Sequence, residues 1–139
     1  MAALKGIIVT KYAKMWPREV FDIRSGKNRF LEEVKQLLKY SGVYVLYKDD
    51  QPYYVGKATK KRLFKRIRQH AINPKDRYYN FWNFFSAFVV PDEKHLSEVE
   101  GLLIATIPTD NRAVPKIKKI DLPSIIAKQI RSKRIIEIK

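Results

Sequence analysis

Residues 41–58, SGVYVLYKDDQPYYVGKA, place four tyrosine hydroxyls beside a strongly basic segment of the chain. That segment, residues 57–70 (KATKKRLFKRIRQH), contains seven lysines and arginines and no acidic residue. Hydrolysis of a phosphodiester needs an activated water and cations that stabilise charge on the phosphate oxygens. Tyrosine hydroxyls next to clustered cations therefore predict a site where water meets phosphate.

Individual residue types in this region suggest individual roles. Tyr44 can accept a proton from water if its pKa falls from about 10 toward neutrality, and Lys57 is a cation that would lower that pKa. Arg66 carries a fork of donors that suits a phosphate in its transition state. Each residue also has a structural interpretation, because tyrosines are common in strands and arginines in basic helices often only position phosphates.

Glu100 lies in a predicted helix that Asp92 caps and Pro108 ends. Its neighbours three and four positions away, none of them a cation, are Leu96, Ser97, Leu103 and Ile104. Glu98, by contrast, has Lys94 one turn before it. A carboxylate at the edge of an apolar stripe must find its partner elsewhere in the fold, and a divalent metal ion is one such partner.

A β-hairpin is predicted to present the tyrosines. Apolar and polar residues alternate before and after a turn at residues 49–52. A loop with an odd number of residues centred near Asp49 would set Tyr44 opposite Tyr54 on one face of the sheet, unless a bulge intervenes.

Helix and strand patterns alternate along the rest of the chain. The spacing of apolar residues predicts helices over residues 30–38 and 60–72. Residues 82–90 have the pattern of a third strand, and residues 124–139 that of a terminal helix. Within the aromatic run at residues 78–85, we expect alternate members to fill the core; stacking on unpaired bases is the alternative. The fold class expected is α+β, with a small three-stranded antiparallel sheet flanked by helices.

The order of the motifs resembles that of the GIY-YIG nuclease family. The two tripeptides of that family are matched by Gly42-Val43-Tyr44 and Tyr54-Val55-Gly56. Its first helix usually carries an arginine followed one turn later by His or Tyr, as in residues 63–70, LFKRIRQH. Its second helix and the following loop are matched in order by Glu100, Leu103, Ile104, Pro108 and Asn111.

The resemblance covers about half of the chain and implies a β-β-α-β-α catalytic core at residues 41–112 of a single domain. Residues 1–40 and the basic residues 113–139 are then N- and C-terminal extensions. The residues implied to be catalytic are Tyr44, Tyr54, Lys57, Arg66, His70, Glu100 and Asn111, of which Asn111 supports the architecture of the site. Glu100 would bind one divalent ion, Mg²⁺ or Mn²⁺.

Arg62 is a rival of Arg66 for the catalytic arginine, since Arg66 lies further beyond Gly56 than the family pattern expects. We favour Arg66 because His70 follows it by one helical turn. Arg62 is then expected to point away from the catalytic cleft.

Charge predicts a polyanionic partner for the whole chain. The 139 residues include 29 Lys and Arg against 14 Asp and Glu, a formal net charge of +15. DNA, duplex or branched, is the partner we expect. Contacts to it are expected from Lys60, Lys61, Arg62, Lys65 and Arg68. The oligomeric state, monomer or homodimer, stays open.

Composition also bears on location. The chain has no cysteine, which rules out disulfides and thiolate metal ligands. It has no apolar run long enough for a membrane span and no convincing signal peptide, so we expect a cytoplasmic protein without membrane contact.

The sequence as a whole predicts a metal-dependent DNA endonuclease. The alternative is a non-catalytic module that binds DNA or RNA through the same basic face. A restriction, repair or mobile-element role stays open.

Overall fold

One antiparallel sheet organises the described residues, 6–21, 29–109, 115 and 117–138, of the computed structural model. The strands are β1 (Lys11–Pro17), β2 (Gly42–Lys48), β3 (Gln51–Ala58) and β4 (Phe84–Val89). The helices are α1 (Arg29–Leu37), α2 (Leu63–Ile72), α3 (Leu96–Thr106) and α4 (Ser124–Ile138), with short 3-10 turns at Arg18–Phe21 and Glu93–His95. The predicted α+β class is confirmed.

The sheet has four strands in the order β1-β4-β2-β3, so the predicted count of three is wrong. β1 lies in the segment expected to be an N-terminal extension and pairs antiparallel with β4, from Lys11 opposite Val89 to Pro17 opposite Phe84. As an edge strand it carries exposed lysines and ends in a proline. These features suit an edge strand but weaken the alternating signal that identifies a strand in a sequence.

The register of the hairpin differs from the expected one. Tyr44 pairs with Gly56, and Tyr54 pairs with Leu46, so the predicted direct opposition of Tyr44 and Tyr54 is wrong. The two tyrosines still share a face, because Tyr44 and Leu46 are two positions apart on one strand. The next pair joins Tyr47 to Pro52, which leaves Tyr53 as the extra residue of a β-bulge.

Strand β2 is central and buried on both faces, which explains its nearly continuous apolar sequence. Tyr44 and Leu46 belong to a core with α2, where Leu63 and Ile67 are fully buried. The opposite face forms a second core with α3, made by Val43, Val45, Val55, Val90 and Leu96. Each such large apolar side chain contributes about 1.5–3 kcal/mol when buried. The two helices are therefore fixed on opposite faces of one sheet.

The remaining predictions for the elements hold with shifted boundaries. The predicted helix at residues 60–72 begins at Leu63, and the predicted strand at 82–90 is shorter. Asp92 caps the 3-10 turn Glu93–His95, accepting a hydrogen bond from the amide of Lys94, and not α3 as expected; α3 begins at Leu96, directly after that turn. Members of the aromatic run at Tyr78, Trp82 and Phe85 fill the core.

Among the described helices, none is both long enough and apolar enough to cross a bilayer.

Candidate active site

A cleft of about 380 Å³ opens at the edge strand β3, between the start of α2 and one side of α3. Its walls are formed by Tyr54, Lys57, Ala58, Thr59, Arg62, Arg66 and Glu100. Four residues expected to be catalytic, which lie far apart in the sequence, therefore meet in this cleft: Tyr54, Lys57, Arg66 and Glu100. The expectation that Arg62 points away from the cleft is wrong, because Arg62 lines it as well.

The cleft bridges the edge of the sheet and does not lie on a single face. Tyr54 and Arg66 reach it from the α2 side, whereas Glu100 reaches it from α3 on the opposite side. Tyr44 is fully buried behind the cleft, with its ring centroid 6.2 Å from that of Tyr54. Of the residues expected to be catalytic, Tyr54, Arg66 and Glu100 line the cleft, whereas Tyr44 is buried on the face of the sheet opposite α3. The expectation that Tyr44 and Glu100 converge on one cleft is therefore wrong.

Tyr44 heads a buried chain of hydrogen bonds. Its hydroxyl lies 2.7 Å from Nε2 of His70, whose Nδ1 lies 2.8 Å from Oδ1 of Asp76. Asp76 also accepts a hydrogen bond from the amide of Tyr78 at 2.9 Å. Because a carboxylate only accepts, Nδ1 of His70 donates to Asp76, and neutral Nε2 then accepts from the Tyr44 hydroxyl.

Burial controls the protonation of this chain. It raises the pKa of Tyr44 well above the ordinary value of 10, and Tyr54 raises it further, while the charge of Arg66 and its hydrogen bond to the hydroxyl oppose the shift. Burial likewise lowers the pKa of His70, although the hydrogen bond to Asp76 opposes this. At neutral pH, Tyr44 is therefore a neutral phenol held between His70 and Arg66.

The expectation that Tyr44 has a lowered pKa and accepts a proton from water is wrong, because burial raises its pKa. The cation that opposes this rise is Arg66, not Lys57 as expected. Lys57 instead donates a hydrogen bond to Oγ of Ser97 at 3.0 Å, and its Nζ lies 4.0 Å from Oε1 of Glu100. The predicted partner of Glu100 elsewhere in the fold is thus a lysine from β3. Glu98, expected to pair with Lys94, lies 3.7 Å from Nδ1 of His95.

Tyr54 is the tyrosine whose side chain reaches the cleft. Burial raises its pKa, and Tyr78 raises it further, whereas the positive charge of Arg66 lowers it. Glu100 raises the same pKa through its charge, which indicates that the carboxylate and the phenol are close enough to interact.

Gly56 allows the aromatic pair to form. The ring of Tyr44 lies directly over Gly56, and a Cβ at that position would collide with ring atoms and with the hydroxyl. The glycine of the second tripeptide is thus a requirement of packing around Tyr44.

The turn before α2 has a strained backbone and carries the basic residues Lys60 and Lys61. Lys60 and Lys61 both have positive φ, 54° and 58°, a conformation that costs about 1–3 kcal/mol for residues other than glycine. Two side chains that sequence reasoning missed hold this turn. Glu93 accepts hydrogen bonds from the hydroxyl of Ser41 at 2.6 Å and from the amide of Lys60 at 2.7 Å, while the amide of Lys61 donates to Ser41 Oγ at 2.9 Å. Arg62, next in the chain, enters the cleft.

The cations expected to contact DNA divide between two surfaces. Arg62 lines the cleft, and the exposed turn of Lys60 and Lys61 directly precedes it. Lys65 and Arg68 line a different pocket of about 390 Å³ between α1 and α2. The basic helix therefore presents positive charge on more than one side.

The described residues contain no group of three or more His, Cys, Asp or Glu side chains that could surround a metal, and Glu100 is the carboxylate among the residues lining the cleft. Its side chain is 18% exposed on the cleft wall. Mg²⁺ commonly keeps several waters and uses one or two carboxylates together with substrate phosphates. Glu100 fits that mode of binding. Asn111 lies outside the described residues.

Comparison of the chain with models of known protein families, with curated proteins and with solved structures gave no match.

Acidification should destabilise the protein through His70. The fold lowers the pKa of His70 below its ordinary value of 6.5. At pH values between the lowered pKa and 6.5, the imidazole is protonated in the unfolded chain but neutral in the folded chain. Its contribution to the free energy of unfolding is complete above pH 6.5 and is lost as the pH falls through the folded pKa, with a slope of at most about 1.4 kcal/mol per pH unit.

Thermal denaturation of wild type and His70→Gln, measured from about pH 8 down to about pH 5, isolates this contribution. The melting temperature of wild type should fall more steeply on acidification than that of the variant. Parallel pH profiles would show that His70 is not buried in its neutral form.

Proposed function

We propose that this protein is a metal-dependent endonuclease that hydrolyses phosphodiester bonds of DNA. The observation that carries the proposal is the meeting of Tyr54, Arg66 and Glu100 in one cleft, although they come from three different elements. The element order β2-β3-α2-β4-α3 agrees with a GIY-YIG-like β-β-α-β-α core. A net charge of +15 supports a nucleic-acid substrate.

The two arginines are the proposed phosphate ligands. Arg66 lies next to both Tyr44 and Tyr54, and its guanidinium is assigned to the oxygens that gain charge in the transition state. Arg62 precedes it by one helical turn and is assigned to the adjoining phosphate of the strand.

Glu100 is the proposed metal ligand. A bound divalent ion supplies Lewis-acid stabilisation of the phosphate and a water of lowered pKa. Lys57 orients the Glu100 carboxylate and partly neutralises it in the absence of substrate. Tyr54 lines the same space, and its hydroxyl can hydrogen-bond to the attacking water or to a phosphate oxygen.

Tyr44 is proposed to act through Arg66, because its hydroxyl is fully buried and does not face the cleft. The chain from Asp76 through His70 fixes the Tyr44 hydroxyl, which in turn contacts the Arg66 guanidinium. An arginine held in this way stabilises the transition state without reorganising.

One feature favours the alternative, a module that binds nucleic acid without cutting it. The Glu100 carboxylate already lies beside the Lys57 ammonium, and such a pair can be purely structural. Incubating the purified protein with supercoiled plasmid and Mg²⁺ or Mn²⁺, with and without a chelator, separates the two. Nicking that the chelator abolishes supports the endonuclease, whereas binding without nicking under all conditions supports the module.

Affinity for duplex DNA should depend strongly on salt. Neutralising several phosphates releases counterions, so binding should weaken by about tenfold or more between about 50 and 200 mM salt. Fluorescence anisotropy of a labelled duplex in the presence of chelator measures this without cleavage. Salt-independent binding would indicate a partner other than nucleic acid.

A further inference from the structure

A group of aromatic side chains continues the cleft beyond Tyr54. Because Tyr53 is the extra residue of the bulge in β3, Tyr53 and Tyr54 both contact Tyr78, although consecutive strand residues normally point to opposite faces. Phe81 completes the group by stacking on Tyr53. We refer to Tyr53, Tyr78 and Phe81 as the aromatic shelf.

The rings form a continuous path from the cleft to solvent. Tyr54, in the cleft wall, lies 4.3 Å from Tyr78 between ring centroids, and Tyr78 lies 6.0 Å from Tyr53. The rings of Tyr53 and Phe81 are parallel, with centroids 6.1 Å apart. Tyr78 is buried and fixed, whereas Phe81 is 50% exposed. The outer member of a rigid aromatic group is therefore available to a ligand.

We propose that the aromatic shelf stacks an unpaired nucleobase next to the scissile phosphate. The proposal rests on the function proposed above, and it names the substrate class: DNA in which a nucleotide beside the cleavage position is not base-paired, as at a branch, flap or single-stranded arm. In a continuous duplex the bases stack on each other, so a protein ring cannot take that place without unstacking them.

The chemistry around the shelf favours a nucleobase over an apolar protein segment. The guanidinium of Arg77 lies 5.5 Å from the ring centroid of Tyr78, which places positive charge beside the aromatic surface. On the other side, the shelf adjoins the cleft that Arg62 and Arg66 line. Aromatic rings between cations are the typical surface for single-stranded nucleic acid, because every base has a π-face and every nucleotide has a phosphate.

Phe81→Ala tests the proposal through binding alone. Fluorescence anisotropy with chelator present compares a blunt duplex with the same duplex carrying a single-stranded arm. The variant should bind the armed substrate about tenfold more weakly than wild type, the scale of one lost base stack, and the blunt duplex equally well. Phe81→Trp should bind the armed substrate at least as tightly as wild type.

Tyr12→Ala is the matched control. Tyr12 is 71% exposed and stacks on Phe88, but it lies on the opposite face of the sheet, so its loss should affect neither substrate. Thermal denaturation verifies that both variants fold. Unchanged binding of both substrates by Phe81→Ala, or an equal loss for both, would overturn the stacking proposal. Absence of plasmid nicking with the armed-substrate effect intact would instead refute hydrolysis and leave the stacking site.

Discussion

Replacing Glu100 with alanine should reduce DNA cleavage by at least ~100-fold while DNA binding persists, the scale expected when one major stabiliser of the transition state is removed. Its carboxylate stands in the cleft wall and is the group assigned to the divalent ion. Binding should even tighten slightly, because removing a negative charge near the phosphate relieves repulsion. Plasmid nicking and anisotropy under matched conditions measure the two effects separately.

Glu98→Ala provides the control from the same helix. Its side chain is 65% exposed and lies near His95, outside the cleft. Thermal denaturation is needed for Glu100→Ala, since Lys57 loses a nearby carboxylate. Glu100→Gln keeps the size of the side chain while removing its charge and should be as inactive as the alanine variant. If Glu100→Ala folds and cuts at the wild-type rate, the assignment of the metal ion to Glu100 is wrong.

Periodic patterns predicted those parts of the fold that depend on local sequence. The helical spacing of Leu63 and Ile67 identified α2, and both side chains are fully buried as expected. The same periodicity places Arg66 and His70 one turn apart on one side of α2, and in the structure both side chains interact with Tyr44. A strong 3.6-residue period suffices for such statements because one face of the helix must be buried.

The hairpin register was not predictable in the same way. It depends on a bulge at Tyr53 and on the turn at Asp49, whose φ is 56°. The amide of Asp49 is held by the side chain of Asn83, which lies 34 positions along the chain. A contact of that range is invisible to turn propensities, which describe only neighbouring residues.

The supports of the candidate site were missed for a related reason. Asp76 lies in a loop after the Asn73-Pro74 sequence, where an aspartate is a common turn residue. Only the return of that loop onto α2 makes it the partner of His70. Ser41 and Glu93, which hold the turn before α2, likewise meet across 52 positions. The residues carrying functional groups were thus easier to identify than those positioning them.

Arg66→Ala should slow cleavage of bound DNA by at least ~100-fold, whereas Arg62→Ala should weaken binding and leave the rate from the bound state nearly unchanged. The reason is position: the charge of Arg66 acts on both Tyr44 and Tyr54, so its loss should raise the pKa of both phenols as well as remove a phosphate ligand. Arg66→Lys should recover only part of the rate, since lysine lacks the planar fork of donors. Single-turnover cleavage at saturating enzyme separates the rate of cleavage from the affinity for DNA. If instead Arg62→Ala abolishes cleavage and Arg66→Ala affects binding alone, Arg62 is the catalytic arginine, and the buried chain behind Arg66 serves stability only.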